Sequence, residues 1–156
     1  MGIGDSAGGS FQETNLLVPE GPHPMLHALP AACTPAIKTI GGAPARVFCG
    51  PAQATVHVGS RTYRLHGGTC IRVASGFTLN IGTLSFAAKT PPPYLGISLT
   101  SSKPGRHDRP TVALNANGKR VSLRTTSTVT LAAGAAKGSF SGRDLSGAAI
   151  RGTFSC

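Results

Sequence analysis

From Ala54 onward, apolar and polar residues alternate with a period of two, and this alternation limits the fold more than any other feature of the sequence. Such a period is typical of β-strands with one buried and one solvated face. The first two runs, ATVHV and RTYRL, flank Gly59-Ser60, a two-residue hairpin signal. Pairing Val58 with Arg61 sets the register of this predicted hairpin. The register leaves one polar face, which consists of Thr55, His57, Thr62 and Arg64.

The same alternation recurs to the end of the chain. Further strands are predicted in CIRVA, FTLNIG, YLGISL, TVALN, RVSLRT, TVTLA, GSFSG and AIRGTFSC. Asn117-Gly118 is the strongest turn signal among the segments between them, and no segment carries an amphipathic helical stripe. The sequence therefore predicts an all-β fold, an immunoglobulin-like or similar antiparallel β-sandwich of about eight to ten short strands over residues 46–156.

Residues 1–45 have a different character. They are rich in proline and lack a clear period, so we predict an irregular extension or linker, with at most one short turn over residues 34–40. No stretch approaches the ~20 apolar residues of a membrane span, and no ordinary signal peptide is present. We interpret the chain as a mature form. LPAAC, ending at Cys33, resembles a lipobox, which leaves lipid anchoring of the full-length precursor as an alternative.

The four cysteines predict the compartment. Their spacing contains no CxxC pair, which argues against a zinc site. Four cysteines permit three pairings, and an even number favours disulfides in an oxidising compartment. Only 5% of the residues are aromatic and none is Trp, so the core is modest and covalent links would stabilise it usefully. We therefore predict a secreted or cell-surface protein.

The charge balance favours an anionic partner. The formal net charge is +10, and residues 50–156 hold only two acids, Asp108 and Asp144. Scattered cations of this kind suit an anionic envelope polymer or lipid headgroups, with a partner protein as an alternative. The most distinctive segment is SSKPGRHDRP (101–110), predicted as a protruding basic loop; its alternative interpretation is a solvated connector. The candidate contact residues in it are Lys103, Arg106, His107 and Arg109.

No motif indicates catalysis. His57 and His66 fall on adjoining predicted strands, but four positions apart, or about 13 Å, which is too far for a shared metal ion. The sequence lacks a nucleophile elbow, a phosphate-binding loop and locally paired carboxylates. We predict no enzyme, no catalytic or metal site and no cofactor. The scarcity of aromatic residues argues against nucleic acid bound by base stacking.

Two segments resemble a known family. ATVHVGSRTYRLHGGTCIRVASGFTLNIG (54–82) and GAAIRGTFSC (147–156) are similar to the start and end of the mycobacterial nineteen-kilodalton lipoprotein antigen family. The resemblance implies a secreted, membrane-anchored β-sandwich at the cell surface without enzymatic activity. It also implies a disulfide between Cys70 and Cys156. Cys33 and Cys49 then form an additional pair, which the family pattern does not require.

Together these observations predict a non-enzymatic, basic, lipoprotein-like protein of the cell surface or cell envelope, which binds an anionic envelope component or a partner protein. One alternative is a soluble carrier that holds an apolar ligand such as a lipid between its sheets. A second alternative is a small secreted inhibitor that presents a loop such as residues 101–110 to a hydrolase.

Overall fold

The computed structural model describes Cys33, residues 35–40 and residues 42–156. These residues form antiparallel strands and one turn of 3-10 helix, Ala133–Ala135. The strands are β1 (Ala36–Ile40), β2 (Ala43–Val47), β3 (Gln53–Val58), β4 (Arg61–His66), β5 (Gly68–Val73), β6 (Gly76–Ser85), β7 (Tyr94–Leu99), β8 (Gly105–Asp108), β9 (Thr111–Ala116), β10 (Lys119–Val121), β11 (Thr128–Leu131), β12 (Lys137–Arg143) and β13 (Ala149–Ser155).

The strands build two sheets that pack together. The seven-stranded sheet has the order β1-β2-β6-β7-β9-β10, with β5 also paired to β6. The six-stranded sheet has the order β4-β3-β13-β12-β11-β8. The prediction of an all-β antiparallel sandwich is confirmed. The described residues contain thirteen strands, more than the eight to ten predicted.

The first two strands correct the prediction for the N-terminal extension. The expected irregular chain and short turn are wrong for residues 36–40 and 43–45, which belong to the β1–β2 hairpin. This hairpin joins the main sheet because Ala45 pairs with Ser85 of β6, forty residues further along the chain. Pro44 lacks an N–H, but it precedes the part of β2 that pairs with β6, so the sheet tolerates it. Residues 1–32, 34 and 41 of the predicted extension lie outside the described residues.

The β3–β4 hairpin has the predicted register. Val58 lies opposite Arg61, and Val56 lies opposite Tyr63. Gly59 has a φ of 61°, which the predicted turn requires. In the second predicted turn, Asn117 and Gly118 also have positive φ values, 54° and 72°. Both turn predictions agree with the structure.

The core lies between the sheets and is filled by medium-sized side chains. Phe77 of the seven-stranded sheet packs against Phe154 of the six-stranded sheet, with ring centroids 5.9 Å apart. Phe140 lies opposite Gly152, and Phe154 lies opposite Gly138, on neighbouring strands. A Cβ atom on either glycine would collide with a phenyl ring. Each ring therefore lies over the backbone of its cross-strand glycine, and these pairs help a chain without Trp to build a close-packed sheet.

Both predicted disulfides are present. Cys70 and Cys156 have Cα atoms 5.6 Å apart, and their bond joins β5 of one sheet to the end of β13 in the other. Cys33 and Cys49 have Cα atoms 5.9 Å apart and close the open end of the β1–β2 hairpin. Gly67, with a φ of 85°, is the corner at which the chain passes from one sheet to the other.

The two disulfides differ in the loop that each one closes, and this difference predicts their contributions to stability. Replacing Cys70 and Cys156 by Ala removes a link across 86 residues, so the free energy of unfolding is expected to fall by about 4–5 kcal/mol. Replacing Cys33 and Cys49 by Ala removes a link across 16 residues, with an expected loss of about 3 kcal/mol. Urea unfolding without reductant measures both losses. Equal losses, or the reverse order, would contradict this account.

Asp144 fixes the turn between β12 and β13. Its carboxylate accepts hydrogen bonds from the Ser146 hydroxyl (2.6 Å) and from the backbone N–H groups of Ser146 and Ala148 (both 2.9 Å). The Ser146 hydroxyl, followed by the backbone donors, holds the pKa of Asp144 below its ordinary value. The charged carboxylate thus stabilises the turn that sets the β12–β13 register.

A lowered pKa in the folded state makes this contribution depend on pH. The stability that Asp144 adds is present above the unfolded-state pKa of about 3.9, and it is lost as the pH falls through the lowered folded-state pKa. We expect Asp144→Ala to have a lower urea midpoint than the parent protein near neutral pH, and the gap to narrow in acid. Asp108→Ala is the control, and its gap is expected to stay small throughout. A gap for Asp144→Ala that does not change with pH would contradict this role.

Candidate functional site

The outer surface of the six-stranded sheet is the candidate site, and we call it the six-stranded face. Because side chains alternate along each strand, the register aligns the outward residues in rows across the sheet. The central row carries two arginines at its ends and four hydroxyl side chains between them. From β4 to β8 it consists of Arg64, Thr55, Thr153, Ser139, Thr130 and Arg106.

The rows on either side of the hydroxyls combine long side chains with further Ser and Thr residues. One row consists of Thr62, His57, Arg151, Ser141, Thr128 and Asp108. The other row consists of His66, Gln53, Ser155 and Lys137. The long side chains of the flanking rows border a depression along the short hydroxyl side chains of the central row.

This depression is a groove with a volume of about 730 Å³. Its lining includes all four hydroxyl residues of the central row, with Arg64, His66 and Lys137. A second hollow of about 390 Å³ adjoins it and shares Thr130, Ser139 and Thr153. We call the two hollows together the central groove, with the hydroxyls of Thr55, Thr153, Ser139 and Thr130 as its floor.

The charge of the six-stranded face is strongly positive. Its register positions contain five cations, namely Arg64, Arg106, Lys137, Arg143 and Arg151. Asp108 is the only carboxylate among these outward positions, and it pairs with Arg106 at 2.9 Å. The two side chains are 70% and 68% exposed, so the pair adds little stability.

Several cations elsewhere have structural contacts. The Arg72 guanidinium donates to the Gly134 carbonyl at 2.8 Å, and Arg120 donates to the Ser85 and Ala88 carbonyls at 2.9 and 3.0 Å. Arg46 lies 5.1 Å above the Phe48 ring. Arg64, Lys137 and Arg151 are exposed and have no hydrogen-bond partner within the described part of the chain. These three cations are thus available to an external anion.

The structure corrects the predicted basic loop at residues 101–110. Gly105–Asp108 is an edge strand paired with β11, and only Arg106 of the four candidate contacts belongs to the six-stranded face. His107 lies opposite Val129, on the inward side, and its Nε2–H donates to the Lys103 carbonyl at 2.8 Å. Lys103 and Arg109 are exposed beyond the two ends of β8. The strand was missed because its pairing partner, β11, lies twenty or more residues further along the chain and leaves no sign in the local sequence.

The two histidines of the six-stranded face are as far apart as the sequence predicted. His57 lies opposite Thr62, and His66 lies opposite Gln53, so the two are four positions apart along the hairpin. The His57 Nδ1 atom is 3.0 Å from the Thr62 hydroxyl oxygen, which forms a local hydrogen bond. Among the residues described, no three His, Cys, Asp or Glu side chains come together as a metal-binding group.

Sequence reasoning did not identify Arg151, Lys137 or the hydroxyl floor. Their signal was the alternation of small polar and large apolar residues in TVTL, GSFSG and RGTFS. That alternation predicted strands, but it did not show which strands are neighbours. Only the insertion of β13 between β3 and β12 brings these side chains onto one face.

Comparison with models of protein families, with curated proteins and with solved structures finds no match. None of the helices in the described residues is long and apolar enough to cross a membrane.

The Arg106–Asp108 pair gives a direct test of the charge of this face. Asp108→Asn removes its carboxylate, so we expect later elution from a cation-exchange column at pH 7. The free energy of unfolding should change by less than about 0.5 kcal/mol, because both side chains are exposed. Ser98→Lys raises the net charge by the same amount at an exposed position of the seven-stranded sheet and serves as the control. If the two variants elute identically, net charge rather than the charge of the six-stranded face determines retention on the column.

Proposed function

We propose that this protein is an exported, non-enzymatic binding protein of the cell envelope, which attaches to an anionic envelope component through the six-stranded face. The observation that carries the proposal is the set of five cations around a hydroxyl floor, with Asp108 as the single carboxylate at the edge. A concave surface lined by one sign of charge raises the local concentration of oppositely charged ligands.

The disulfides support the extracytoplasmic part of the proposal. Two disulfides, Cys33–Cys49 and Cys70–Cys156, account for all four cysteines. Disulfides persist in oxidising compartments and are rare in the cytosol. The resemblance to a mycobacterial lipoprotein family agrees with a surface location, and it extends the proposal to a lipid-anchored precursor.

Binding at the six-stranded face is better supported than the two alternatives. A carrier needs a cavity between the sheets, but this space is filled by Phe77, Leu79, Ile81 and Leu95, all 0% exposed. An inhibitor would present residues 101–110 as a free loop, but four of these residues form strand β8. The six-stranded face, by contrast, has both an open groove and exposed cations.

The proposal predicts salt-sensitive retention on isolated cell envelopes and on a polyanion-coated matrix. Arg64→Ser with Arg151→Ser removes two cations at the central groove, so we expect about tenfold weaker binding, equivalent to about 1.4 kcal/mol. Raising the salt concentration is expected to weaken binding of the parent protein, because screening reduces attraction between exposed charges.

Lys89→Ser with Lys119→Ser is the matched control. It removes the same net charge at exposed positions outside the six-stranded sheet, so less than about twofold weakening is expected. If both double variants lose binding equally, net charge rather than the six-stranded face determines attachment, and the proposal fails.

A further inference from the structure

The floor of the central groove presents hydroxyl groups at a regular interval. Thr55, Thr153, Ser139 and Thr130 lie on four neighbouring strands, one register position each. Adjacent strands are about 4.8 Å apart, so the four side chains cover about 14 Å. In an extended 1,4-linked sugar chain, the advance per ring is similar to this spacing between adjacent strands. Each hydroxyl offers one donor and two acceptor lone pairs, which match the hydroxyl groups of a sugar.

The cations are placed at intervals around this floor. Arg64 and Arg106 lie at the two ends of the central row, five strand spacings or about 24 Å apart. Arg151 precedes Thr153 by two residues and Lys137 precedes Ser139 by two, and because β12 and β13 are antiparallel, these cations flank the floor on opposite sides. The arrangement suits a ligand whose negative charges are separated by neutral, hydroxyl-bearing groups.

Other polyanions fit this groove less well. The outward positions of the six strands contain no Phe, Tyr or Trp, so bases of a nucleic acid would have no stacking platform. A polyphosphate offers charged acceptor oxygens but no hydroxyl donors along its length, so the acceptor lone pairs of the four floor hydroxyls would have no partner. The floor is recessed between longer side chains, so a flat bilayer would contact only the rim.

We infer that the central groove binds a linear acidic polysaccharide, which lies across the strands along the central row. The sugar hydroxyls meet the Thr and Ser floor, and the carboxylate or sulfate groups meet Arg151, Lys137 and Arg64 through charge-assisted hydrogen bonds. This inference rests on the proposed function and names the ligand class of the same site.

The test is calorimetric titration of the full chain with oligogalacturonates of increasing length. Affinity is expected to rise with each added sugar until the row is filled, at about five sugars, and then to level off. Thr153→Val keeps the shape of a floor residue but removes its hydroxyl, so we expect about fivefold weaker binding of the longest oligomer. Thr78→Val, on the outer side of the seven-stranded sheet, is the matched control and should bind like the parent protein.

Polyphosphate, neutral maltooligosaccharides and phosphatidylglycerol vesicles are the comparison ligands, and each is expected to bind more weakly than oligogalacturonate. Equal binding of polyphosphate or vesicles, lost with Arg64→Ser and Arg151→Ser but not with Thr153→Val, would overturn the polysaccharide inference and leave the proposed function intact. Equal binding of the neutral sugars would also overturn it. If no polyanion binds, the proposed function itself fails.

Discussion

Strand β13 is the element on which the rest of the structure depends. It is the last strand of the chain, yet it lies in the middle of the six-stranded sheet, between β3 and β12. Without it, the β3–β4 hairpin would have no connection to β12, β11 and β8. Terminal strands are prone to fray, and the Cys70–Cys156 disulfide opposes this by tying the end of β13 to the other sheet. The same strand carries Arg151 and Thr153, so it both connects the sheet and contributes side chains to the central groove.

Alternating residues of the six-stranded sheet fill the core on one side and form the central groove on the other. Inward, Phe140 and Phe154 cover cross-strand glycines and supply much of the bulk that a chain without Trp must find. Outward, the intervening Ser and Thr side chains are short, so they leave a groove between longer neighbours. The cations of the two sheets also differ, since Arg72 and Arg120 of the seven-stranded sheet donate to backbone carbonyls, whereas Arg64 and Arg151 of the six-stranded face have no such partner.

Most of the fold could be predicted because its signals are local. Alternation located the strands from β3 onward, and residues such as Gly59 and Asn117 marked turns whose dihedral angles follow from steric limits. Strands β1, β2 and β8 escaped this reasoning. Each depends on a partner supplied by another part of the chain, β6 for the first hairpin and β11 for β8. The energy that a strand gains by pairing with a distant strand is not visible in its own local sequence pattern.

The sequence by itself determined the class of fold, an even number of cysteines able to form disulfides, and a positive net charge with few acids. These properties follow from composition and from periods of two, which any strand order would preserve. The tertiary structure alone decided which cations share a face. Residues from β4, β3, β13, β12, β11 and β8 form one row because of strand order and register. Neither is encoded within a single strand, since both arise from the packing of the two sheets into one core.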